Sequence, residues 1–379
     1  MVNVLFPAIW FFEKRRKSSG SKQCFHGSAI ARLPLRPMSF DYSAEAPPIK
    51  QLKDLLGRSK YIAIVSHHNP DGDAMGCSLG LAHVLRVLGK EVTVVMPNTP
   101  APYLQWMPGA SGIIAFESDK EKATELIRKA DVLFCLDFNR ADRVRDLEQP
   151  IRTAKKKVVI DHHQEPEEFA DILISDVTAS STCQMIYDVL MGMGYVGFIG
   201  TDAATCLYTG MVTDSGSFRF RNTTGHTMRV AADLLDKGVE IDRVHSSISD
   251  DNTVDRLKLL GFTLSERMDV RQEQQSVIMW LGKSDLDRFN YKPGDTEGFV
   301  NYGLSISGIR LSAFFMERAD GIKISVRSKG MLPVNELTKE HFEGGGHINA
   351  AGGQTKESMY EAISRFNRLL PEFMKEYPQ

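Results

Sequence analysis

Tyr61-Ile-Ala-Ile-Val-Ser-His67-His68-Asn69-Pro70-Asp71-Gly72-Asp73-Ala74 is the stretch that decides the fold. An apolar, largely β-branched run stops at a histidine, and a Pro/Gly turn then presents two aspartates. Cys77, Leu81, Val84, Leu85 and Leu88 follow at helical spacing. Strand, turn and helix place His67, Asp71 and Asp73 on one loop at the carboxyl end of a strand, where open α/β sheets hold their ligands. An imidazole and two carboxylates this close call for a cation. The same residues also read as ordinary turn chemistry, so the choice falls to three later loops.

Outward from this stretch the pattern stays regular. Gln51–Gly57 reads as a short helix and Glu91–Met96 as a strand. Lys120–Ala130 is an amphipathic helix, Asp131–Asp137 an apolar strand ending in a carboxylate, and Lys157–Ile160 a strand running into Asp161-His162-His163. Helices are expected over Ser180–Met193, Asp202–Met211 and Thr224–Lys237, with Asp214 on a loop after the second. The alternation predicts an α/β fold, a parallel sheet with helices on both faces. Ile241–Glu266 is polar and helix-permissive and reads as a linker helix. Beyond it, strands are expected at Ser276–Leu281, Leu304–Ile309, Leu311–Met316 and Ile322–Arg327. Helices around Val334–Phe342 and Glu357–Phe373 flank the glycine-rich Gly344–Gly353. That makes a smaller α+β domain. The expected division is 1–45 as a disordered or non-native extension, 46–240, the linker 241–266, and 267–379.

With 379 residues, 42% hydrophobic and 25% charged, the chain suits two soluble domains. Its longest N-terminal apolar run, Val2–Phe12, is broken by Pro7 and too short for a span. Five cysteines in mostly apolar patterns read as core thiols of a reducing compartment, and a cytoplasmic location is expected. Residues 1–40 hold Lys14, Arg15, Arg16, Lys17, Lys22, Arg32 and Arg36 against Glu13 alone, a surplus of six positive charges. The net charge is −2, so the remainder carries about −8, a poor surface for gripping long duplexes. A short anionic substrate held by metals and a few cations fits better.

Four acidic or histidine-bearing segments converge in this reading: His67 with Asp71 and Asp73, Asp137, Asp161-His162-His163, and Asp214. Buried carboxylates in such number need compensating charge. Two divalent cations supply it, and mixed His/Asp ligation without thiolate suits Mn²⁺ or a similar first-row ion. A metal pair of this kind activates water for in-line displacement at phosphorus.

These motifs, in this order and spacing, resemble the DHH superfamily of phosphoesterases. Gly344-Gly345-Gly346-His347-Ile348-Asn349-Ala350-Ala351-Gly352 resembles the glycine-rich motif of its DHHA1 domain. The compact two-domain layout is similar to the NrnA-like group of bifunctional oligoribonucleases and 3′-phosphoadenosine 5′-phosphate phosphatases. The resemblance implies that His67, Asp71 and Asp137 hold one metal. It gives the other to Asp73, Asp137, His162 and Asp214, with Asp137 bridging. It makes Asp161 the residue that orients a ligand histidine, and leaves His163 facing the substrate as a phosphate or proton donor. In the second domain it assigns phosphate binding to Arg327, with Ser328, and to the backbone of Gly344, Gly345 and Gly346 beside His347.

The function expected is a two-metal phosphoesterase acting on very short RNA, linear dinucleotides and 3′-phosphoadenosine 5′-phosphate, with no long duplex and no membrane as partner. The oligomeric state is not legible. An inorganic pyrophosphatase shares the metal scaffold but not the glycine-rich motif. A non-catalytic nucleotide-binding regulator would have lost metal ligands, and all are present.

Overall fold

A computed structural model describes residues 39–250 and 252–378; most of the basic leader lies outside them. In the first lobe α1 (Pro47–Arg58) leads into β1 (Tyr61–Val65), α2 (Gly72–Val87), β2 (Glu91–Met96), β3 (Ile114–Ala115) and α3 (Lys120–Lys129). There follow β4 (Val132–Leu136), α4 (Glu148–Arg152), β5 (Lys157–Asp161), β6 (Ile172–Ser175), α5 (Thr182–Gly192), α6 (Thr201–Asp214) and α7 (Gly225–Asp236). The six strands form one parallel sheet in the order β3-β2-β1-β4-β5-β6. Continuous apolar runs give such doubly covered strands because neither face meets water. Ile62 and Ile64 of β1 pack into one core with α1, α2, α5 and α6. Ala63 and Val65 point to the other face, under α3 and α4. The residues before α1 join this lobe: the Phe40 amide donates to Asp176 Oδ2 at 3.1 Å, and the Tyr42 hydroxyl to the same oxygen.

α2 is buried along most of its length. It can lie close to α6 because Gly76 has no side chain: a Cβ there would stand 2.5 Å from the Cys206 carbonyl oxygen. Cys77, Cys135, Cys183 and Cys206 are free, buried thiols, as their apolar settings suggested.

The crossing to the second lobe is not one helix. α8 (Ile241–His245) runs into a π-type turn at Ser246–Asp250, and α9 (Val254–Glu266) starts afresh. The polar run 250–253 favours a cap over continuation, and the Thr253 side chain accepts from the Arg256 amide at 3.1 Å.

The second lobe contains β7 (Met268–Arg271), β8 (Ser276–Leu281), α10 (Lys283–Arg288), α11 (Phe299–Leu304), β9 (Leu311–Arg318) and β10 (Gly321–Ser328). α12 (Val334–His341), β11 (Gly345–His347), β12 (Ala350–Thr355) and α13 (Met359–Glu376) complete it. Its mixed sheet has the order β11-β12-β10-β9-β8-β7, antiparallel except for β8 beside β9. α12 and α13 cover one face; α9 and α11 pack on the other. The strand expected at Leu304–Ile309 is instead the end of α11 and a turn. Phe299, Val300 and Gly303 of α11 are buried, and a Cβ on Gly303 would stand 2.3 Å from Ser312 Oγ, so the helix lies directly on β9. Among the described residues no helix is long and apolar enough to cross a membrane.

Candidate metal centre and cleft

Beyond the end of β1, His67 Nδ1 donates to the His68 carbonyl at 3.0 Å, which leaves Nε2 free to face the carboxylates. Nε2 stands 3.4 Å from Asp137 Oδ2 and 3.9 Å from Asp71 Oδ1. Asp71 caps α2 by accepting from the amides of Asp73 and Ala74 at 3.0 and 3.1 Å. Asp73, inside the first turn, is 1% exposed. Its carboxylate accepts from the amides of Thr182 at 2.7 Å and Cys183 at 2.9 Å, the first two residues of α5. The positive end of a helix thus supports an otherwise isolated anion.

Asp137 follows β4 at φ 64°, a left-handed conformation that costs a non-glycine residue about 1–3 kcal/mol. Its Oδ1 accepts from the Thr182 hydroxyl at 2.9 Å and faces His162 Nε2 at 3.6 Å, while Oδ2 faces His67. One carboxylate therefore offers one oxygen to each imidazole, which is what a bridging ligand requires. His162 Nε2 also lies 3.6 Å from Asp214 Oδ2 and 3.9 Å from Asp73 Oδ2. These separations are too long for hydrogen bonds and near those of donors sharing one ion. His67, Asp71 and Asp137 form one group of candidate ligands; Asp73, Asp137 and His162 form another. Asp214 is not on a loop. The helix expected to end at Met211 runs on through buried Val212 to Asp214, and Asp214 is the last residue of α6.

The electrostatics point the same way. Burial pushes Asp73 well above the usual carboxylate range, and the charges of Asp137 and Asp214 add to it. Asp214 is pushed up to about 7, mostly by burial, with His162 opposing and Asp137 and Asp71 adding. Burial would lower His162, but Asp214, Asp137 and Asp73 together raise it to about 9. Burial likewise opposes His67, which Asp137 and Asp71 hold above its ordinary value. Protons gather where the oxygen and nitrogen donors crowd, so a hard or borderline divalent cation fits this donor set.

Asp161 bonds His163, not His162. Its Oδ2 accepts from the His163 amide at 2.9 Å and its Oδ1 is 2.7 Å from His163 Nδ1, because β5 ends at Asp161 and the chain folds back over the carboxylate. His163 is thereby aimed across the cleft, and its ring stacks on His347 with centroids 4.5 Å apart. His162 meets the same ring at 4.7 Å. The lobes touch nearby as well: Lys339 Nζ is 2.6 Å from Glu165 Oε2, and Asn335 Nδ2 donates to Gln164 Oε1 at 3.4 Å.

On the second-lobe side the glycines are not a free loop. Gly344–His347 enters a hairpin in which β11 pairs with β12. A Cβ on Gly344 would stand 2.1 Å from the Gly352 oxygen, and Gly346 has φ 137°; only Gly345 has open space about it. The Ser328 hydroxyl already has partners within the lobe. It is buried, donates to the Leu332 carbonyl at 2.6 Å and accepts from Asn349 Nδ2 at 2.8 Å, so its hydroxyl holds a turn. Arg327 differs: its guanidinium donates only to the carbonyls of Val326 and Ala351, and no carboxylate pairs with it among the described residues.

Sequence reasoning passed over two residues. Thr182 serves both Asp73 and Asp137, and the Ser180-Ser181-Thr182 run before an apolar helix was the N-terminal signal that could have found it. Arg143 lies within electrostatic reach of His67 and His347; no motif marks it.

Residues 61–211 match the N-terminal domain of the DHH family, and residues 274–376 match the DHHA1 domain. The chain is 31% identical over 297 residues to the bifunctional oligoribonuclease and PAP phosphatase NrnA of Bacillus subtilis, covering 78% of this chain and 90% of that protein. It is also 31% identical to the NrnA of Thermus thermophilus, over 80% of this chain and 87% of that one. In three dimensions it is similar to an exopolyphosphatase-related protein from Bacteroides fragilis, with a TM-score of 0.83 and 39% identity over 86% of this chain and 96% of that one.

Proposed function

The chain belongs to the DHH family and is a metal-dependent phosphoesterase of that family; from that premise we propose its substrates and the roles of its residues. It hydrolyses very short RNA or linear dinucleotides to mononucleotides, and removes the 3′-phosphate of 3′-phosphoadenosine 5′-phosphate. The observation that carries this reading is Asp137, set between His67 and His162 with one oxygen toward each.

His67, Asp71 and Asp137 would hold one divalent ion, and Asp73, Asp137 and His162, with Asp214 alongside, a second. Such a pair supplies an activated water and draws charge from the phosphoryl oxygens. The remaining work falls to the protein. Arg327 makes no ion pair within 4.0 Å among the described residues, with Glu297 and Asp214 acting on it only from farther off, and takes a non-bridging oxygen of the phosphate. His347, lowered by burial and by His162 and His163, is held neutral and can donate one ring N–H to the same group. His163 keeps its Nδ1 proton on Asp161 and presents Nε2 to the leaving oxygen, to which the imidazolium delivers a proton. Contact between the His163 and His347 rings leaves no room for a phosphate, so substrate enters when the lobes separate.

Purified protein with Mn²⁺ and a labelled dinucleotide tests the reading. Mononucleotide is expected, lost with a chelator and restored by the ion; no product with any divalent ion overturns it.

A further inference from the structure

Three histidines meet where the lobes touch. The ring of His347, from the second lobe, lies 4.5 Å from that of His163 and 4.7 Å from that of His162, centroid to centroid. The two first-lobe rings stand 4.9 Å apart. One nitrogen from each ring falls within 4.8 Å of the other two, and no carboxylate belongs to this group. Among the described residues no hydrogen bond joins the three rings. The chemistry above uses these imidazoles one at a time: His162 toward an ion, His163 toward the leaving oxygen, His347 toward a phosphate. It gives the three together no role.

Each ring is braced from behind. His163 Nδ1 lies 2.7 Å from Asp161 Oδ1, which turns Nε2 outward. An imidazole held by a carboxylate on its far nitrogen is the usual form of a metal-ligating histidine. His162 Nδ1 faces the Ala179 carbonyl at 3.4 Å, a looser brace of the same kind. His347 ends β11, in a hairpin tied down from outside. There the Ile348 carbonyl accepts from the Val334 amide at 2.8 Å, and the Asn349 carbonyl from the Ser328 amide at 3.0 Å. Three imidazoles without an oxygen donor suit Zn²⁺ or another borderline ion, whereas Mn²⁺ and Mg²⁺ favour carboxylates. Nitrogens around a tetrahedral zinc stand about 3.4 Å apart, so closing the group by about 1 Å brings all three into range and leaves the fourth place to water.

Such an ion would act on the whole cleft. The Lys339–Glu165 pair that also joins the lobes is exposed on both sides, and exposed pairs add little. An ion that meets all three ligands only when the lobes are together favours that state by its differential affinity. His162 Nε2 also faces Asp137 and Asp214, so this ion competes with one at the second position.

We propose that His162, His163 and His347 form an inhibitory site for Zn²⁺ or a like borderline ion, which pins the second lobe to the first. With the His163 and His347 rings held together, no phosphate enters between them. The site stands apart from the choice of substrate; only the inhibition rests on the phosphoesterase reading above.

Calorimetric titration of Zn²⁺ into Asp137→Asn protein, whose carboxylate-rich positions lack their shared ligand, reads the three histidines. Adding His347→Phe, which keeps the stacked ring and removes its nitrogens, should weaken Zn²⁺ about 10²-fold. His163→Phe, from the opposite lobe, should do the same. Co²⁺ in place of Zn²⁺ should show the visible bands of a tetrahedral ion, which both added substitutions abolish. Equal Zn²⁺ affinity with and without these histidines overturns the site. In Mn²⁺-loaded wild type, Zn²⁺ should inhibit dinucleotide cleavage, with an inhibition constant that rises as substrate is raised. Tight binding that leaves turnover untouched overturns the inhibition. Were wild type to cleave no dinucleotide while His347→Phe still weakened Zn²⁺, the substrate assignment would fall and the site would stand.

Discussion

On the first-lobe wall of the cleft, the buried acids at the metal centre have fixed donors: Asp73 the amides of Thr182 and Cys183, Asp137 the Thr182 hydroxyl, Asp161 the His163 backbone and ring. On the second-lobe wall, the Arg327 guanidinium donates only to the carbonyls of Val326 and Ala351, with Glu297 and Asp214 acting on it from beyond ion-pair distance. The first arrangement holds reacting groups in place before anything binds, which is where catalytic sites gain most. Under the function proposed above, the second is completed by the substrate's phosphate. On that proposal one wall defines geometry and the other takes the ligand, so substitutions on the two should fail in different ways.

Asp137→Asn should have the largest effect. It keeps the shape but weakens the shared ligand, and kcat/KM should fall by about 10³-fold or more, the several kcal/mol that metal polarisation supplies. Mn²⁺ titration should lose its tight phase; near-normal turnover would mean the shared ligand is misassigned. Arg327→Met comes next. Steady-state kinetics should show kcat/KM down roughly 10²-fold, mainly through KM, with Mn²⁺ affinity untouched and Arg327→Lys restoring little. Removing a half-buried cation whose nearby acids, Glu297 and Asp214, lie beyond ion-pair distance should also raise the melting temperature of the substrate-free protein. A fall would show that Arg327 is structural, and the contrast between the walls would break. Thr182→Val is the smallest: Mn²⁺ affinity should drop about tenfold, the scale for groups that orient ligands, and Thr182→Ser should restore it. Unchanged affinity would mean the amides alone hold the carboxylates.

The first lobe was legible because its strands are uninterrupted apolar runs that stop at polar residues, so both the sheet and its ligand-bearing edge lie in one local pattern. Asp214 lies beside His162 but was expected on a loop and ends a helix, since nothing at Thr213 breaks it. The second lobe was harder. Leu304-Ser-Ile-Ser alternates like a strand, yet the packing of Phe299 and Gly303 on β9 makes its start a helix end. Gly345–His347 has no strand propensity, and only the pairing with β12 makes it one. The hydrogen-bond partners of Ser328 and Asp161 were not legible, because the partner of a hydroxyl or a carboxylate is decided by tertiary contacts. The break between α8 and α9 was written in the polar run 250–253 and was read through as helix.

Thr182 touches Asp73 through its amide and Asp137 through its hydroxyl. A single residue at the tip of α5 thus ties the two candidate ion positions mechanically. If two ions bind as proposed above, the first would hold that tip and with it the oxygens of the second position. On that proposal, activity should climb with Mn²⁺ concentration more steeply than first order.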